Sequence, residues 1–201
     1  MIAVQLIGMS IEGHLPDSFG TLTAMVSLNL MANFLTGNLD PLATLTRLDY
    51  LNLWRNMIAG HLTTVENLTM LTYMDLESNF LYGDLSGLEN LTRIQRLYLG
   101  YNSLSGPLDA ISNKARLERI SLNDNFFNCS IFGKLDSLTL LQSLILHNNF
   151  FLGPITSLST LTRMQQLFLQ SVGSDACDCT MLMRWIIFRM LLLDPSILWS
   201  Q

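Results

Sequence analysis

One spacing governs this chain. The segments LNLMANFLTGNL (28–39), LNLWRNMIAGHL (51–62), MDLESNFLYGDL (74–85) and LYLGYNSLSGPL (97–108) superimpose at intervals of 23 residues. ISLNDNFFNCSI (120–131) keeps the register, LILHNNFFLGPI (144–155) follows after 24, and VQLIGMSIEGHL (4–15) precedes the set by 24. LFLQSV (167–172) opens a further unit. A unit this short cannot bury its own flat face, so it must stack on its neighbours in a one-dimensional array. Residues 1–172 read as about eight coils of that array, and residues 173–201 as a cap-like helical segment at its C-terminal side.

Residue types within the unit set its local structure. Each L-x-L triplet alternates in and out, as a strand with one buried face does. Successive strands should stack as a parallel ladder about 4.8 Å apart. They are expected to centre near Gln5, Asn29, Asn52, Asp75, Tyr98, Ser121, Ile145 and Phe168. A column of Asn33, Asn56, Asn79, Asn102, Asn125 and Asn149 stands where the chain turns off the strand. An amide both donates and accepts, so this column can satisfy the backbone groups of the turns. A glycine recurs further along each unit, at Gly13, Gly37, Gly60, Gly83, Gly106 and Gly153, and an apolar residue follows two positions later. Two positions depart from the pattern. Lys114 takes the place of Leu45, Leu68, Leu91, Leu138 and Leu161, and should snorkel or shift its loop. Cys129 replaces the glycine and reads as a structural free thiol.

The pattern L-x-x-L-x-L-x-x-N-x-L is the leucine-rich-repeat signature. Its extension N-x-L-x-G-x-L resembles the plant-type subclass, and HLPDSFGTLTAMVSLNL (14–30) resembles that subclass's return segment. The resemblance implies an α/β repeat fold: a right-handed solenoid with a parallel β-ladder on its concave face and a mostly irregular and 3-10 convex side. It also implies a second small sheet from L-x-G-x-L and a C-terminal capping helix. It points to the extracellular part of a receptor-like protein, or to a repeat-bearing surface antigen of a unicellular eukaryote such as a kinetoplastid. Met1 falls on the first Leu slot with no amphipathic cap before it, so the chain is expected to be a fragment. Any membrane link is then expected through flanking sequence. The C-D-C of Cys177 and Cys179 resembles the start of a cysteine-rich cap. A bridge between the two would be strained, and in that cap they pair with later cysteines. Residues 180–193 read as a capping helix ended at Asp194-Pro195, rather than as a membrane anchor, being short and carrying Arg184 and Arg189.

Composition narrows the function. Apolar residues at 49% exclude a disordered chain, and a net charge of -5 disfavours nucleic acid as a partner. The three histidines, His14, His61 and His147, have no metal-ligand spacing, and no nucleophile motif, P-loop or dinucleotide fingerprint occurs. No catalytic residue, metal or cofactor is therefore expected. Three N-x-[ST] sequons, at Asn67, Asn90 and Asn128, are candidate glycosylation sites. With the resemblance they favour an extracellular or cell-surface location, the alternative being cytoplasmic.

Side chains beside the buried leucines face the concave surface in three rows. The first runs Ser27, Tyr50, Tyr73, Arg96, Arg119; the second Asn29, Asn52, Asp75, Tyr98, Ser121; the third Met31, Trp54, Glu77, Gly100, Asn123, His147. Tyr, Trp and Arg, the residue types enriched at binding hot spots, concentrate in the third to fifth coils. The candidate protein-binding set is Tyr50, Trp54, Arg55, Tyr73, Asp75, Glu77, Arg96, Tyr98 and Tyr101. The expected function is non-catalytic recognition of a protein or peptide by this face. The alternative is a structural or adhesive surface component without a single ligand.

Overall fold

The computed structural model describes residues 2–131, 133–152 and 160–169. Eight short strands form one parallel sheet in chain order: Ile2–Gln5, Met25–Asn29, Tyr50–Asn52, Tyr73–Asp75, Arg96–Tyr98, Arg119–Ser121, Ser143–Ile145 and Gln166–Phe168. Each strand lies beside the equivalent strand of the next coil. Tyr50 pairs with Ser27 on one side and Tyr73 on the other, and Asp75 with Asn52 and Tyr98. The α/β solenoid expected from the period is the observed fold. The expected capping helix, Cys177 and Cys179 lie outside the described residues.

The ladder is displaced slightly from its expected phase. The residues expected at strand centres stand at strand ends, because several of them begin the turn themselves. Asn29 Oδ1 accepts the Met31 N–H at 3.3 Å, Asn52 Oδ1 the Trp54 N–H at 3.0 Å, and Asp75 Oδ1 the Glu77 N–H at 3.1 Å. Backbone bonds between coils nevertheless continue past the strands. Leu53 N–H donates to the Asp75 carbonyl at 2.8 Å, and Arg55 N–H to that of Glu77 at 2.9 Å.

The strand leucines point inward. Leu51, Leu53, Leu76, Leu97, Leu99 and Leu122 are buried, and Leu45, Leu68 and Leu91 meet them from the return side. Each such side chain contributes about 1.5–3 kcal/mol through burial. Above this core runs the Asn column. Asn56 Nδ2 donates to Leu53 O of its own coil and to Leu30 O of the coil before, both at 3.0 Å, while its Oδ1 accepts Leu35 N–H at 3.0 Å. Asn79, Asn102 and Asn125 repeat the arrangement one coil at a time. The residue before each Asn adopts a left-handed backbone: Ala32, Arg55, Ser78, Tyr101, Asp124 and Asn148 have φ between 52° and 57°. Non-glycine residues resist that conformation. The Asn side chain, bonded to carbonyls two and three residues back, holds the turn closed around it.

The return side is mainly 3-10, at Asp17–Thr21, Asp40–Leu42, Leu62–Val65 and Ser86–Leu88, with one α-helical turn at Asp109–Ser112. The implied second sheet exists. Glu12–His14 pairs with Phe34–Thr36, and Ala59–Gly60, Phe80–Gly83 and Ser103–Leu104 pair in parallel. Lys114 corrects the expectation of snorkelling. It is 1% exposed, and its Nζ donates to the Glu89 carbonyl at 2.6 Å. The preceding coil offers a backbone acceptor at the bend, so the ammonium is satisfied without reaching bulk water. Burial still lowers its pKa. Cys129 is half-buried, and burial raises its thiol pKa.

Candidate functional site

The concave surface is built by strand residues whose neighbours point into the core. Because the register is regular from Tyr50 to Tyr98, side chains two residues apart along a strand and one coil apart across it become near neighbours. Tyr50 and Tyr73 stack with ring centroids 4.4 Å apart and planes 12° from parallel. Tyr73 then meets Tyr98 at 5.7 Å and 51°. Three half-buried rings thus run across three adjacent strands. The Tyr73 hydroxyl donates to Asp75 Oδ2 at 3.2 Å, which leans the ring over the second row. Burial pushes the Tyr73 and Tyr98 hydroxyl pKa values up.

Two carboxylates border the rings. Burial, helped by the nearby Glu77 charge and opposed by the Glu77 N–H and Tyr73 hydroxyl bonds, raises the pKa of Asp75 from 3.8 to about 6. The Glu77 carboxyl is also raised by burial. Glu77 Oε2 accepts the Ser121 hydroxyl at 3.4 Å, two coils away. The intervening third-row residue is Gly100, whose missing side chain leaves the way across open. A Cβ there would stand 2.6 Å from Asn123 Oδ1.

The candidate residues fall into two groups. Ring contact joins Tyr50, Tyr73 and Tyr98, with Asp75 and Glu77 along their border; Arg96 opens the same strand as Tyr98 and is exposed. Trp54, Arg55 and Tyr101 make no ring contact with that run among the described residues. Arg55 and Tyr101 sit on the left-handed turn after the strand, exposed, and the charge of Asp124 raises the Tyr101 pKa. The residues absent from the candidate set form a polar network beside Glu77. Ser121 Oγ lies 2.5 Å from Asn123 Oδ1, and Asn123 Nδ2 donates to Asp124 Oδ2 at 2.7 Å. Asn148 Nδ2 donates to Asp124 Oδ1 at 2.7 Å, and His147 Nε2 lies 3.5 Å from Asp124 Oδ2. Their row positions place Ser121, Asn123 and His147 on this face, but none is a residue type enriched at binding hot spots. Among the described residues, no group of acidic, His and Cys side chains could hold a metal ion. Asn67, Asn90 and Asn128 are exposed. Asn67 and Asn90 follow the return-side segments Leu62–Val65 and Ser86–Leu88, across the core from the rings.

No protein-family model and no curated protein matches the chain. Solved structures do. A TDR receptor is 28% identical with a TM-score of 0.75, over 80% of this chain and 29% of that one. PEPR1, solved with AtPEP1, is 29% identical with a TM-score of 0.73, over 80% and 23%. The ectodomain of the Arabidopsis receptor kinase HAESA, solved with an IDA peptide hormone, is 26% identical with a TM-score of 0.71, over 85% and 33%. The chain spans about a quarter to a third of the chains it resembles. These likenesses speak to the receptor-like side of the sequence resemblance and not to a kinetoplastid antigen. A 23-residue period closed by an Asn ladder gives this chain a leucine-rich-repeat solenoid, similar in backbone to the ectodomains of plant receptors.

Proposed function

We propose that this array recognises a protein or peptide, without catalysis, through its concave face in the third to fifth coils. The observation that carries the reading is the Tyr50–Tyr73–Tyr98 run on the open side of the ladder. Rings with few rotors bury large area at low entropic cost, and a rigid ladder adds no ordering cost of its own. PEPR1 was solved with AtPEP1 and HAESA with a peptide hormone, which supports a peptide-sized partner here. An extracellular or cell-surface setting belongs to the same reading, supported by three exposed sequons and by the receptor ectodomains the fold resembles.

The test is a selection of phage-displayed dodecapeptides on the intact chain, followed by calorimetry on the best synthetic peptide. Tyr73→Ala and Trp54→Ala should each weaken binding by about 2 kcal/mol, and return-side Thr64→Ala should change it little. Equal effects at all three positions, or no selected peptide at all, would remove the concave site and favour a structural or adhesive component.

A further inference from the structure

The concave face carries two charges that its fold does not require. Asp75 closes its turn by accepting the Glu77 N–H at 3.1 Å. In the two preceding coils Asn52 and Asn29 make the same bond with an amide oxygen. Amides suffice at this position, so the Asp75 carboxylate is a burden on the turn: burial opposes its ionisation and no cation offsets it. Burial opposes the ionisation of Glu77 too, countered by the Ser121 hydroxyl and by His147, which also faces Asp124. Among the described residues, the ion pairs are Lys134 with Asp109 and His147 with Asp124, and neither touches Asp75 or Glu77.

The surroundings specify what would offset them. Asp75 faces Tyr73 on its own strand and Tyr98 on the next, and Tyr50 stacks behind Tyr73. Glu77 faces Ser121, Asp124 and His147. Gly100 leaves the floor beside Glu77 without a side chain. Arg96 and Arg119 open their strands in the first row, where Arg96 pairs in register with Tyr73, and both bear on Tyr98. An aromatic face attracts a cation, and a half-desolvated carboxylate does so more strongly than one in water. Both attractions converge on one spot between the second and third rows.

We propose that this spot is the anchor for a cationic side chain, an arginine or lysine of a bound peptide, held against the Tyr73 and Tyr98 rings by the carboxylates of Asp75 and Glu77. The proposal rests on the concave-face reading and names its ligand chemistry. The dodecapeptide selection tests it directly. Lys and Arg should be enriched about threefold over the input library among peptides whose binding is lost on Tyr73→Ala. Replacing the enriched Lys or Arg by Gln in the best peptide should weaken binding about tenfold, as should Asp75→Asn and Glu77→Gln, with urea midpoints unchanged or raised. Peptides that need Tyr73 but show no Lys or Arg enrichment would overturn the cationic anchor and leave peptide recognition standing. Selected peptides indifferent to Tyr73→Ala would overturn both.

Discussion

The ammonium of Lys114 sits inside the array, 2.6 Å from the carbonyl oxygen of Glu89 in the coil before. Its position belongs to leucine in six other coils. One carbonyl does not replace a full hydration shell, so Lys114→Leu is expected to stabilise the array by about 1 kcal/mol. The sign with pH follows from a folded pKa lowered by burial. The penalty on wild type is full below that pKa and fades as pH rises through it toward the unfolded value. The gap between variant and wild type in urea midpoint should therefore narrow as pH rises toward the ordinary lysine value of 10.5; a gap undiminished there would contradict a charge-based cost.

Asn79 holds two coils together. Its amide donates to Leu53 O and Leu76 O and accepts Ile58 N–H, all buried bonds. Asn79→Ala strands these groups and is expected to destabilise by about 2 kcal/mol or more. Asn79→Asp should be no better, since a carboxylate cannot donate to the two carbonyls. An unchanged chemical-denaturation midpoint for either variant would contradict the bonding scheme.

Gly87 is required for a different reason. A Cβ there would fall 1.9 Å from Leu62 O and 2.7 Å from Thr63 N, which are backbone atoms that cannot step aside. Gly87→Ala is expected to cost about 3 kcal/mol or more and to loosen the packing of Ser86–Leu88 on Leu62–Val65. Thermal unfolding of the variant, with hydrogen exchange along residues 62–88, checks both effects.

Asp75 gives the clearest pH signature. Its folded pKa of about 6 lies above the ordinary 3.8, so ionisation opposes folding. That cost is absent below pH 3.8, grows as pH rises, and is complete above about 6. Asp75→Asn should match wild type in acid and exceed it in stability at pH 7.5. An NMR titration of the Asp75 carboxyl with a midpoint at an ordinary aspartate value would remove the basis for this. A cationic peptide should also bind wild type more weakly at pH 5 than at pH 7.5, while Asp75→Asn shows a smaller dependence.

What could be read from the chain alone was whatever repeats. Strand phase, core leucines and the Asn column recur every coil, so a single physical argument covers each column. The contacts of Lys114 and Gly87 were illegible for the opposite reason. The break at Lys114 shows in the Leu column, but its bond to one neighbouring carbonyl does not, and the close backbone approach at Gly87 leaves no periodic trace. At the concave face the rows were legible, and so was the Tyr50–Tyr73–Tyr98 adjacency. The separation of Arg55 and Tyr101 from that run was not, because it follows from the left-handed turn that each adopts. The reach of Glu77 across Gly100 to Ser121 joins residues 44 apart, a distance set by side-chain length rather than by the period.

Between coils, the Asn bonds all point one way. Asn56 serves Leu30 and Leu35 of the lower-numbered coil, Asn79 serves Leu53 and Ile58, and Asn102 serves Leu76 and Leu81. Two cut faces made between the same pair of coils are therefore chemically unlike. The lower-numbered half is left with a backbone carbonyl and a backbone N–H that have both lost their Asn partner. The other half is left with an amide at its surface that water can satisfy. The array has a polarity like that of a filament with distinct ends, and grafting foreign coils should succeed more readily below an intact Asn than above a severed one.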